Sequence, residues 1–120
     1  MPAAPSAEGQ RREAQALRHL QTAGLKLRAA NVRYRYGELD LVMDHGEVLV
    51  FVEVRYRRSG SHGGAAASIS PSKQHKLLLA AQAFLAAHPA LAQRPCRFDV
   101  LAIEGEASID WLRNAFYFDG

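Results

Sequence analysis

Cysteine is nearly absent from this chain. Cys96 stands alone among 120 residues, which excludes an internal disulfide and a zinc site built on cysteine pairs. Long apolar runs are missing too, so no stretch reaches the roughly 20 residues needed to span a bilayer. Met1 to Gln10 lacks the apolar core of a secretory signal. These absences lead us to expect a reducing, cytoplasmic setting and no membrane partner. Gly63-Gly64 lacks the strand-turn-helix context of a nucleotide-binding loop. His19, His45, His75 and His88 show no metal-ligand spacing, and no internal repeat is visible.

What the chain does have is the make-up of one globular domain, with 48% apolar and 22% charged residues. Its formal net charge is +3 and its pI about 9.4. Arginine carries much of the excess, at Arg11, Arg12, Arg33, Arg35, Arg57 and Arg58 among others. Guanidinium forks bind phosphate in pairs, so a polyanion is the favoured partner class.

Residues 1–7, rich in Ala, Pro and Ser, read as a flexible tail before a single domain over 8–120. Glu8 to Ala23 follows helical spacing, with Leu17 and Leu20 in its apolar stripe and Gly24 as a stop. Leu25 to Tyr36 alternates imperfectly, and its second half reads as an edge strand. Leu39 to Met43 and Val48 to Tyr56 are the clearest strands, joined across Asp44-His45-Gly46-Glu47. The Ser, Gly and Ala-rich stretch over 57–69 reads as a mobile loop. Ser70-Pro71 opens a second helix that runs to about Ala87 and stops at His88-Pro89. Arg97 to Ile103 is a further strand, and Ile109 to Phe118 reads as a short helix or turn packed on the core.

The informative feature is Val48-Leu49-Val50-Phe51-Val52-Glu53-Val54, in which one carboxylate interrupts a strand that should be buried. Burying an acid is costly unless it is paired, hydrogen-bonded or bound to a metal. Side chains alternate along a strand, so Glu53 shares a face with Leu49, Phe51 and Arg55, and Glu38 shares one with Asp40 and Val42. A hairpin symmetric about His45-Gly46 pairs Leu39 with Val52, Leu41 with Val50 and Met43 with Val48. In that register Glu38 faces Glu53, and Asp40 lies diagonal to it at roughly 7–8 Å. Asp40 and Glu53, helped by Glu38, are then a candidate magnesium site, because magnesium takes one or two carboxylates and completes its shell with water and phosphate. The competing reading is a structural Glu53–Arg55 pair with Glu38 and Asp40 solvated. Asp99 reads as a structural partner of Arg97 on their common strand face.

Gly37-Glu38-Leu39-Asp40-Leu41-Val42, Val50-Phe51-Val52-Glu53-Val54-Arg55-Tyr56-Arg57, Lys73 and Arg97-Phe98-Asp99-Val100 together resemble the YraN-like bacterial proteins. Those are grouped with the restriction-endonuclease-like PD-(D/E)xK nucleases, and the layout is similar to that of archaeal Holliday-junction resolvases. The resemblance runs from about Glu8 to Phe118. It implies an α/β fold with a restriction-endonuclease-like core, a mixed sheet of four or five strands flanked by helices. It also implies magnesium-dependent, or manganese-dependent, phosphodiester hydrolysis on DNA, branched DNA included, by a protein able to form a homodimer. Asp40 and Glu53 match the metal-holding acids, and Glu13 matches an acid that resolvase-like members place beside the metal. By spacing alone, Glu13 is in line with Leu17 and Leu20 and flanks the apolar stripe. Arg55 stands where the family pattern usually has lysine. Arginine effectively cannot give up its proton, though it can clamp phosphate. This departure opens an alternative: a nucleic-acid-binding module whose catalysis has lapsed. Arg57, Arg58 and His62 on the loop, and Lys73 at the start of the second helix, are the candidate phosphate contacts.

Overall fold

The computed structural model describes residues 7–57, 69–104 and 108–116. The expected N-terminal tail, except Ala7, which begins the first helix, and most of the expected mobile loop, with Arg58 and His62, lie outside them; Arg57 is described in its backbone only. The elements in chain order are α1 (Ala7–Thr22), β1 (Lys26–Tyr34), β2 (Gly37–His45), β3 (Val48–Arg57), α2 (Pro71–Ala87), β4 (Cys96–Glu104) and β5 (Ser108–Phe116). The strands form one sheet in the order β1-β2-β3-β4-β5. Three of its neighbouring pairs are antiparallel, and β3–β4 is parallel across the α2 crossover. This is the expected mixed α/β sheet flanked by helices.

A helix covers each face. On one side Ala16, Leu20 and Leu25 pack with Leu41, Met43, Val50, Val52, Leu101 and Ile103. On the other, Leu77, Ala80, Ala81 and Phe84 of α2 meet Val42, Leu49, Phe51, Phe98 and Val100. β3 is therefore buried on both faces, which is why its sequence reads as a continuous apolar run rather than an alternating one. Each large side chain fully removed from water here contributes about 1.5–3 kcal/mol. α1 ends as its sequence foretells. Gly24 takes φ +98°, its N–H donates to Gln21, and the Leu25 N–H donates to the Leu20 carbonyl. That double closure is a Schellman cap, with Leu20 and Leu25 in apolar contact behind it. α2 begins with the Ser70 hydroxyl accepting from the Lys73 N–H at 3.1 Å, followed by Pro71.

Two expectations are corrected. The β2–β3 ladder pairs Leu41 with Val52, Met43 with Val50 and His45 with Val48, two residues away from the anticipated register. A shift of two keeps every side chain on its face, so the aliphatic pattern could not decide between the registers. Turn chemistry does: Gly46, at φ +62°, opens a two-residue turn with Glu47, as a primed hairpin turn requires. Second, Ile109 to Phe116 is not a helix or turn but part of the edge strand β5. Its alternation is hidden by a bulge, since Phe98 pairs with Phe116 while Val100 pairs with Leu112. Three residues of β5 thus oppose Asp99 alone, and Asn114 sits at φ +52° within them.

A candidate two-carboxylate site

β2 and β3 stay paired only as far as Leu41–Val52. Beyond that rung β2 continues along β1, where Val32 pairs with Leu39 and Arg33 with Glu38. Asn31, opposite the parting, takes φ +53°. Asparagine is among the few residues that adopt this conformation readily. Past the break Leu39 joins the α2-side core although Leu41 lies in the α1-side core. In the gap, the Asp40 carboxylate accepts a hydrogen bond from the Val54 N–H at 2.8 Å, where a strand carbonyl would otherwise stand. Continued one step past its last rung, the corrected register sets Asp40, rather than Glu38, across from Glu53.

Glu53 is buried, at 7% exposure. Its carboxyl lies against that of Asp40, and neighbouring carboxylates resist ionising together. Burial, and then the Asp40 charge, push Glu53 up to about 8, while Lys73 and Arg55 pull the other way. Asp40 is also raised, by burial first, against the lowering effect of the Val54 N–H and of Glu53. Glu53 Oε2 is buried without any hydrogen-bond partner. Lys73 Nζ lies 3.8 Å away, an ion-pair distance but too long for a hydrogen bond. An orphaned, buried carboxylate oxygen beside a second carboxylate has the chemistry of a hard-cation site, with water free to fill the remaining positions.

The other sequence candidates fall into place around this pair. Glu13 on α1 accepts from the Asn31 side chain at 2.6 Å. Its pKa is raised by burial, and further by the charges of Asp40 and Glu38, so it belongs to the same acidic neighbourhood. Glu38 turns aside to Arg33, 3.7 Å away. Among the described residues no three His, Cys, Asp or Glu side chains form a metal-holding group, so the pair stands without Glu38 as a third ligand. Arg55 is half-buried and acts on Glu53 through its charge. Sequence reasoning missed Asn31. Its only signal was an asparagine between Ala30 and Val32 in an otherwise apolar stretch.

The family model described as "Uncharacterised protein family UPF0102" matches residues 12–103, which include Glu13, Asp40, Glu53 and Lys73. The chain belongs to the UPF0102 family. It is 58% identical to a UPF0102 protein of Xanthomonas campestris pv. campestris, over 99% of this chain and 98% of the relative. A UPF0102 protein of Pseudomonas fluorescens is 54% identical, over 90% and 91% of the two chains. One from Aeromonas hydrophila is 53% identical, over 96% and 88%. The UPF0102 match thus takes in the whole strand-splay region, while β5 lies beyond the residues of the family model. Among the described residues of this UPF0102 protein, no helix is long and apolar enough to cross a membrane.

Proposed function

We propose that this protein binds nucleic acid, DNA foremost, and hydrolyses its phosphodiester bonds with a magnesium or manganese ion held by Asp40 and Glu53. The observation that carries the reading is the buried Glu53 Oε2 with no hydrogen-bond partner, set beside the Asp40 carboxyl. Two acids with perturbed proton affinity at a break in a sheet are a functional arrangement more than a structural one. The resemblance to PD-(D/E)xK nucleases and Holliday-junction resolvases points to the same chemistry, and to branched DNA as a substrate. A bound magnesium ion would supply an activated water and screening of the scissile phosphate.

The chain's own residues do the rest. Asp40 is held by the Val54 N–H and so presents its second oxygen in a fixed direction. Asp40 and Glu53 would both have to be ionised to hold a cation, which would couple binding to pH. Lys73, 3.8 Å from Glu53, is placed to meet a phosphate oxygen at the edge of the acid pair. Arg55 offers a second, permanently charged contact. Glu13, held by Asn31, borders the acids from α1.

The test is cleavage of branched and single-stranded DNA by the purified protein with magnesium. Asp40→Asn, which keeps an oxygen to accept from Val54, should abolish cleavage; equal cleavage by both proteins refutes the proposal. Arg55 in the usual lysine position favours a second reading, a binding module without catalysis. That reading predicts salt-sensitive binding that needs no metal, and no product from either protein.

A further inference from the structure

The turn joining β1 to β2 rests against the first two turns of α2. Between them lies an open groove of about 560 Å³, lined by Arg33, Arg35, Tyr36, Lys73 and Lys76 among others. Its one acid among the described residues, Glu38, is already engaged with Arg33. Tyr36 is 59% exposed, the most exposed large apolar side chain described. Arg35 sits over its ring at 5.4 Å, loosely compared with the 3.9 Å of Arg12 over Tyr56. The groove also has a rigid floor. A Cβ at Gly37 would fall 2.6 Å from the Lys76 carbonyl oxygen, so only glycine lets this turn seat on the α2 backbone. Lys73 belongs to both places: it lines the groove and lies 3.8 Å from Glu53 Oε2.

We infer that this groove holds a single nucleic-acid strand, with an unstacked base on the Tyr36 ring and its phosphates along Arg33, Arg35 and Lys76, leading by way of Lys73 to the Asp40–Glu53 pair. The inference deepens the proposed function and rests on it for the choice of polyanion. Cations along a groove with an outward-facing aromatic bind single strands, because every base offers a ring face once it leaves a duplex. A duplex keeps its bases stacked inside and gives Tyr36 nothing to cover.

The experiment measures fluorescence anisotropy of labelled single-stranded DNA, single-stranded RNA and blunt duplex of one sequence, with the full-length protein in EDTA. Either single strand should bind more tightly than the duplex. Tyr36→Ala should weaken the single-strand complex about 5- to 100-fold, with the salt dependence unchanged. Tyr36→Phe should restore it. Lys76→Gln should instead flatten the log-affinity against log-salt slope by about 0.7. Wild-type affinity in Tyr36→Ala, or duplex bound at least as tightly as single strands, overturns the inference. EDTA separates the two proposals: Tyr36-dependent binding without later cleavage in magnesium sinks the hydrolysis alone. Cleavage with binding indifferent to Tyr36 sinks the groove alone.

Discussion

The sheet buries two acids, and it treats them in opposite ways. Asp99 on β4 is 1% exposed and receives four hydrogen bonds. Two come from Arg97, at 2.9 and 3.1 Å, one from the Trp111 indole N–H at 2.9 Å and one from the Asn114 N–H at 2.9 Å. The bulge in β5 exists around it, with Asn114 in a left-handed conformation that aims its N–H inward. Glu53, on the neighbouring strand, is also buried but keeps one oxygen with no hydrogen-bond partner and lies against a second acid, Asp40. The protein surrounds one carboxylate with donors and leaves the other short, and the proposed cation would fill that shortfall. Burial alone does not separate structural acids from working ones; saturation of their lone pairs does.

The comparison can be broken first through stability. Asp99→Asn strands the Arg97 guanidinium and puts an amide where only acceptors fit. Its expected cost is about 3 kcal/mol, read by urea unfolding. Glu53→Gln at pH 7 mimics a group already protonated and should stay within about 1 kcal/mol of wild type. Equal losses in the two variants would erase the distinction.

Acidity sharpens it next. Glu53 rises from an ordinary carboxylate value to about 8 in the folded protein. Between these values the native state holds more protons than the unfolded state, so stability falls as pH climbs from about 4.5 towards 8. The slope approaches at most about 1.4 kcal/mol per pH unit. Melting of wild type against Glu53→Gln across this range should show the slope in the first and its loss in the second. The smallest effect comes from thinning the shell of Asp99 by one donor. Trp111→Phe should cost about 1 kcal/mol in the same unfolding assay and leave nucleic-acid binding intact.

The contrast also explains what the sequence disclosed. Glu53 was conspicuous because a lone acid broke an apolar run, and Asp40 because it followed in the preceding strand. Side-chain faces were legible from alternation along β3 and along β2 from Leu41 onward, though not at Leu39, and the end of α1 and start of α2 from Gly24 and Ser70-Pro71. The register was not, since a slip of two residues leaves the pattern intact and only the Gly46 turn resolves it. β5 was not, because three of its residues crowd around one side chain of β4 and disturb the alternation. Neither was the parting of β2 from β3. That depends on Asn31 accepting an unusual backbone geometry across from Asp40, a property of two chain segments together rather than of either one.

Gly37 carries a last consequence. Its contact with the Lys76 carbonyl is between main chains, and main chains do not swing as long side chains do. The main chains that carry Tyr36 and Lys73 are therefore held at a set spacing, like the jaws of a caliper. A strand gripped at the ring would meet the paired acids at a constant offset, so any cut should fall a fixed number of nucleotides from the gripped base, whatever the sequence between.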